Sequence, residues 1–169
     1  MGKWCLAEKI TDEAERIYQQ YQNLVYQIHV VDLATGKKSA AGSGFQISAQ
    51  GHIATNFHVI SDAVHYPKRF RIKYFNDKSS GLLEVLDFDV VHDLAILKGK
   101  ADLKETGFLE MAEEPLVNGA RIYALGNLLD YGKKIVEGTF NGLMDRLFYP
   151  KILFSGARAW HERWADPGP

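Results

Sequence analysis

From Asn23 onward, apolar and polar residues come in short alternating runs divided by turn-forming residues, and no stretch keeps a helical period for long. Leu24 to Val31, Gly44 to Ser48, His52 to Thr55, Phe70 to Phe75, Leu82 to Val90 and Leu94 to Lys98 read as strands before residue 100. Thr35-Gly36, Gln50-Gly51 and the segment Asn76 to Gly81 supply turns between them. Beyond a polar, irregular connection from Gly99 to Asn118, the runs resume as Ile122 to Leu125, Lys134 to Phe140 and Leu147 to Phe154. Ahead of this β region, Asp12 and Glu15 have capping-box spacing, and Glu13 to Tyr21 is rich in helix formers, so a short helix is expected to open the fold.

The pattern predicts an all-β chain of two successive β units, without a fixed-period repeat or a low-complexity tract. A length of 169 residues with 46% hydrophobic content is enough for one domain, or for two halves that share a core. Twenty basic and 21 acidic residues are well mixed and leave a net charge of −1, so a nucleic-acid partner is not expected. No apolar run reaches the ~18 residues that span a bilayer, so no membrane partner is expected either. The single cysteine, Cys5, reads as a buried or incidental thiol. Met1 to Ile10 is interrupted by Lys3, Glu8 and Lys9 and does not read as a secretory signal; either the protein stays where it is made, or the true start lies upstream.

Four segments carry candidate chemistry: Gly42-Ser43-Gly44-Phe45, Ala54-Thr55-Asn56-Phe57-His58-Val59, His92-Asp93-Leu94-Ala95-Ile96-Leu97 and Ala124-Leu125-Gly126-Asn127. Taken singly, each has an ordinary structural explanation: a turn glycine, a strand-end aspartate, a histidine satisfied in place. In this order they resemble the trypsin-like serine proteases of the HtrA/Deg type, over about Val25 to Ala157. The resemblance implies a trypsin-like double β-barrel with the site in the cleft between barrels. It places residues 25–115 in a first, complete barrel carrying the histidine and aspartate, and 116–157 in an incomplete second barrel, after a lead at 1–24.

Carried over residue by residue, the resemblance makes His58 the general base and then general acid, and Asp93 the group that fixes its tautomer and stabilises the imidazolium. A serine hydroxyl needs such a base near neutral pH, and an imidazole with a pKa of about 6.5 serves it well. His92 adjoins Asp93 but, on a strand, would face away from His58. No His or Cys spacing argues for a metal, and no cofactor is implied. The implied partner is a polypeptide substrate. Members of the family are commonly periplasmic or secreted.

The family's nucleophile lies in Gly-x-Ser-Gly-Gly-Pro after the strand that ends near Phe154, and no such stretch stands here, so no residue is assigned as nucleophile. Ser155 lacks the following Gly-Gly-Pro and reads as a strand-end serine. The segment Arg158 to Pro169 has neither strand nor helix pattern. Tryptophan has the single codon TGG, so a shift of one nucleotide makes Trp160-His161 encode a glycine, and Trp164-Ala165 another. The codons between and around them permit Leu-Glu-Pro-Gly-Met-Ser-Gly-Gly-Pro-Thr after Ala157. The expectation is an out-of-frame tail at 158–169, created by one nucleotide gained or two lost near codon 157, and a chain that hydrolyses no peptides as written. An incompletely closed second barrel is expected to be marginally stable and prone to aggregate. Two other readings stay open: a non-catalytic peptide-binding pseudoprotease, and a plain β-barrel binding module in which His58 and Asp93 would lie far apart.

Overall fold

A computed structural model describes residues 11–99, 107–127, 133–146 and 149–155, with side chains up to residue 142 except at 127. Helix α1 (Asp12–Tyr21) runs through a single 3-10 turn, Gln22–Leu24, into the first strand. Its N-cap is Thr11, whose hydroxyl accepts the Ala14 amide at 3.2 Å. The cap therefore falls one residue before the expected Asp12. Asp12, Glu13 and Glu15 fill the first turn, where the helix dipole favours them.

Strands β1 (Val25–Asp32), β2 (Lys38–Gln46), β3 (His52–Thr55), β4 (Phe70–Phe75), β5 (Ser80–Asp89) and β6 (Leu94–Gly99) close into an antiparallel barrel of order β1-β2-β3-β6-β5-β4. Period-two patterning explains its core. Ile28 and Val30 of β1, Ile53 of β3, Ile72 and Tyr74 of β4, Leu83 of β5 and Ala95 and Leu97 of β6 point inward, while their neighbours remain at least partly exposed. Tyr26 is fully buried with them and donates its hydroxyl to Gln46 Oε1 at 2.9 Å, so the buried amide of Gln46 is hydrogen-bonded within the core. Glycines 36 and 51, with φ of +68° and +77°, serve the two expected turns.

A β-bulge between Val85 and Asp87 leaves Leu86 as an extra residue and reverses the phase of β5. Val85 faces Leu97 across the pair, and beyond the bulge it is Phe88, not Asp87, that pairs with buried Ala95. Phe88 thereby reaches Phe57 at the barrel's end, with the rings stacked 5.2 Å apart.

A helix stands where the sequence predicted none. Residues Phe57–His65 form α2, which adds Val59, Ile60 and Ala63 to the barrel core. The stretch Phe57-His58-Val59-Ile60 is aromatic and β-branched and has weak intrinsic helix preference, but its apolar spacing suits burial against the barrel.

Strands β7 (Arg121–Asn127), β8 (Lys133–Arg146) and β9 (Tyr149–Ser155) make a second antiparallel sheet of order β7-β8-β9, with β7 against β1 and β2. Among the described residues, polar side-chain contacts also tie this sheet to the rest. Glu137 of β8 accepts the Thr11 hydroxyl at 2.6 Å and lies 3.3 Å from Arg121 Nε, and Lys133 Nζ meets Asp77 Oδ2 at 3.0 Å. The connection hugs the barrel where Leu109 donates its amide to the Gln46 carbonyl. The fold is thus the expected all-β one: a closed six-stranded barrel, a short N-terminal helix and a partial second sheet. Cys5, the signal question at 1–10 and the tail at 158–169 lie outside the described residues.

Candidate active site

Three of the four sequence segments meet at one end of the first barrel, while Ala124-Leu125-Gly126-Asn127 lies on β7 of the second sheet. Gly42 of β2 lies so close to α2 that a Cβ there would stand 2.5 Å from Val59 Cγ2. Gly44 is equally confined, with Ile53 Cγ2 2.7 Å and the Ala54 carbonyl 3.1 Å from the same imagined atom. The glycines therefore let β2 approach both α2 and β3, and neither needs a positive φ. Thr55 secures the junction by donating its hydroxyl to the Ser43 carbonyl at 2.8 Å. Asp62 on α2 accepts the Ser39 hydroxyl, holding the helix to the same strand.

Helix α2 starts without help from its own N-cap side chain, since Asn56 makes no capping bond to its first turn. Asp93, in the turn just before β6, replaces it. The Asp93 carbonyl accepts the Phe57 amide at 3.2 Å, and Asp93 Oδ1 accepts the His58 amide at 2.8 Å, so two of the orphan donors of the helix are satisfied by a residue distant in sequence. The second carboxylate oxygen, Oδ2, accepts from His58 Nδ1 at 2.6 Å. Because a carboxylate can only accept, the neutral ring holds its proton on Nδ1 and its basic lone pair on Nε2. The His58 side chain is 54% exposed and that of Asp93 26%, leaving the base open to solvent and its partner half-sheltered.

Asp93 is the one non-glycine residue with positive φ among those described, at +54°. Aspartate tolerates this region better than most residues. The turn before it closes on a local copy of the same two-point grip: Asp89 Oδ1 accepts the His92 amide at 3.0 Å and Asp89 Oδ2 meets His92 Nδ1 at 2.6 Å. The His92 side-chain and backbone bonds hold the Asp89 carboxyl below the usual carboxylate range. His92 sits in this turn rather than on a strand, so the alternation expected to point it away from His58 does not apply; its partner is Asp89. The structure brings His58 and Asp93 into direct contact, where a plain binding module would have left them apart.

Comparison with known proteins identifies the family and the fold. Residues 42–163 match the family model described as trypsin-like peptidase domain. The chain belongs to that family and is of the HtrA/Deg type. It is 26% identical over 144 residues to Protease Do-like 1, chloroplastic, of Arabidopsis thaliana, a match that spans 79% of this chain and 32% of that protein. It is 30% identical over 106 residues to a probable periplasmic serine endoprotease DegP-like of Marinomonas sp. (strain MWYL1), covering 61% of this chain and 21% of that one. This trypsin-fold chain thus spans about a fifth to a third of the length of these curated relatives. Among solved structures, Deg5 superposes with a TM-score of 0.70 at 24% identity over 89% of this chain and 77% of that one. The HtrA-type protease AlgW with tripeptide gives 0.65 at 20% identity, over 79% and 41%. Both show the shared fold.

Within this HtrA/Deg-type chain, His58 and Asp93 are the members of the sequence-assigned site that lie among the described residues. Asn56 belongs to the motif around His58, which by itself assigns it no role. An asparagine before an apolar run can open a helix, but nothing in the sequence marks the bond that Asn56 makes to the Asp93 carbonyl. Among the described residues no group of three or more His, Cys, Asp and Glu is placed to hold a metal ion.

Proposed function

We propose that this chain carries the base and orienter of a serine endopeptidase, His58 and Asp93, in a first barrel over residues 25–115 followed by part of a second barrel over 116–157. The observation that supports it is the two-point grip of Asp93 on His58, at 2.8 Å to the amide and 2.6 Å to Nδ1. Fixing both points sets the ring's position and its tautomer together. A serine hydroxyl presented to Nε2 would lose its proton there on attacking a peptide carbonyl, and the imidazolium would then protonate the leaving amine. The Asp93 carboxylate stabilises the ring while it is charged.

The 169 residues contain no Gly-x-Ser-Gly-Gly stretch, and without that serine and the backbone donors beside it the pair has no acyl acceptor to activate. The chain as written is therefore inactive, and its serine lies one reading frame away, in the nucleotides encoding Arg158 to Asp166. The substrate class of the intact reading frame is polypeptide. A fluorophosphonate probe tests this: the chain as written remains unlabelled, and removal of one nucleotide near codon 157 creates a labelled serine. Labelling of the present chain at any serine would overturn the reading. So would a gene in which no shifted frame there encodes Gly-x-Ser-Gly-Gly.

A peptide-binding role without catalysis is supported by one feature: β9 pairs only with β8 among the described strands, and an open edge of this kind can accept an extended segment. Titration with unstructured polypeptide, followed by backbone amide shifts in β9, checks it.

A further inference from the structure

We infer that Asn56 is a positioning residue for the His58–Asp93 pair, acting through the Asp93 carbonyl rather than as the cap of its own helix. The inference deepens the reading of His58 as a base and rests on it for its catalytic meaning. Asn56 occupies the N-cap of α2, a place where an asparagine side chain ordinarily accepts an amide of its own first turn. Here it makes no such bond. Its Nδ2 instead donates to the Asp93 carbonyl at 3.0 Å, across 37 residues of sequence.

The consequence follows from where Asp93 must sit. Its backbone has φ of +54°, a region that disfavours side chains other than asparagine, aspartate or none, so something must hold it there. Its carbonyl receives both Asn56 Nδ2 and the Phe57 amide, and its carboxylate receives both the amide and Nδ1 of His58. Three consecutive residues thus grip one aspartate at both ends. The carbonyl bonds set the orientation of the Asp93 backbone, and that orientation decides whether the carboxylate can reach both points on His58. A side chain that capped its own helix would satisfy α2 and leave the aspartate's backbone held by the Phe57 amide alone.

This separation of roles makes the inference testable with variants that still fold. Asn56→Asp and Asn56→Ser keep side chains favoured at an N-cap. The first cannot donate to a carbonyl when ionised, and the second is too short to span the gap. In the 169-residue chain, both variants are expected to lose or strongly broaden the downfield Nδ1 proton resonance of His58. They should also lower hydrogen-exchange protection of the His58 amide by about fivefold to tenfold, as expected for one weakened hydrogen bond. Protection of the Leu97 amide, in the barrel core, should stay unchanged. An unaltered Nδ1 resonance and an unaltered His58 amide in both variants would overturn the inference, and so would an equal loss of protection at Leu97, which marks a purely structural role. The two readings fail separately. If the frame-restored chain is labelled by fluorophosphonate while the resonance ignores Asn56, only the positioning role falls; if the resonance depends on Asn56 but the frame-restored chain is never labelled, the positioning role stands and the catalytic reading falls.

Discussion

Gly42 and Val59 touch across the β2–α2 interface so closely that the space for a Cβ on Gly42 is already occupied by both γ-methyls of Val59, at 2.5 and 3.0 Å. Val59 follows His58, so this contact sets how near the helix that carries the base lies to the barrel wall. Gly42→Ala is expected to destabilise the chain by about 1–3 kcal/mol through overpacking. Urea unfolding measures it, and adding Val59→Ala should recover part of the loss, giving a non-additive cycle. Strict additivity would show that the two positions do not compete for space.

Asp93 serves as the cap of α2, which separates its stability role from its chemistry. Asp93→Ala is expected to cost about 1 kcal/mol, by removing a cap and by placing alanine at positive φ. Asp93→Asn retains an acceptor for the His58 amide and tolerates that φ, so its melting temperature should stay close to wild type. Equal destabilisation by both changes would contradict the capping role.

The bonded pair inside the barrel offers a third check. Tyr26→Phe removes the hydroxyl that donates to fully buried Gln46 Oε1 and is expected to cost about 1–2 kcal/mol, with no change in ring packing against Tyr74. Equilibrium unfolding reads the cost. A neutral substitution would mean that Gln46 is satisfied without it.

Acid sensitivity should trace to Asp32. The Arg69 guanidinium bonds Asp32 Oδ2 through both Nε and Nη2, at 3.0 and 2.7 Å, and with the Ala34 amide it holds the Asp32 carboxyl below the usual carboxylate range. A depressed folded-state pKa stabilises the fold above the unfolded value of about 3.9, and the gain disappears as pH falls through the lower folded value. Arg69→Ala should therefore reduce stability at neutral pH and flatten the acid limb of the stability curve. The two proteins should converge as pH drops below the carboxylate range. A constant difference between them down to pH 2 would rule out this linkage.

Much of the barrel was legible because alternation survives wherever one face of a strand is buried. His52–Thr55 and Phe70–Phe75 fall at the limits read from the chain, and the two expected turns carry glycines with positive φ. Helix α2 was not legible, since Phe57-His58-Val59-Ile60 prefers extended backbone when judged alone. What overrides that preference is tertiary: Asp93 caps the helix from a turn distant in sequence, and Gly42 opens a seat for Val59. The pairing of His58 with Asp93 could be expected from motif order, whereas the part played by Asn56 could not, because its target is a backbone carbonyl that carries no side-chain signature. The assignment of His92 to a strand failed for a related reason: a bulge and a tight turn in 86–93 break the alternation on which it relied.

The bond between Thr11 and Glu137 joins residues 126 apart. Helix α1 is only ten residues long, too short to be stable alone in water, and it is synthesised ahead of the strands described after it. Its anchor on β8 is synthesised more than a hundred residues later, so this helix is among the last of the described elements to be secured. Through most of synthesis the barrel must form beneath a helix that has nowhere yet to dock.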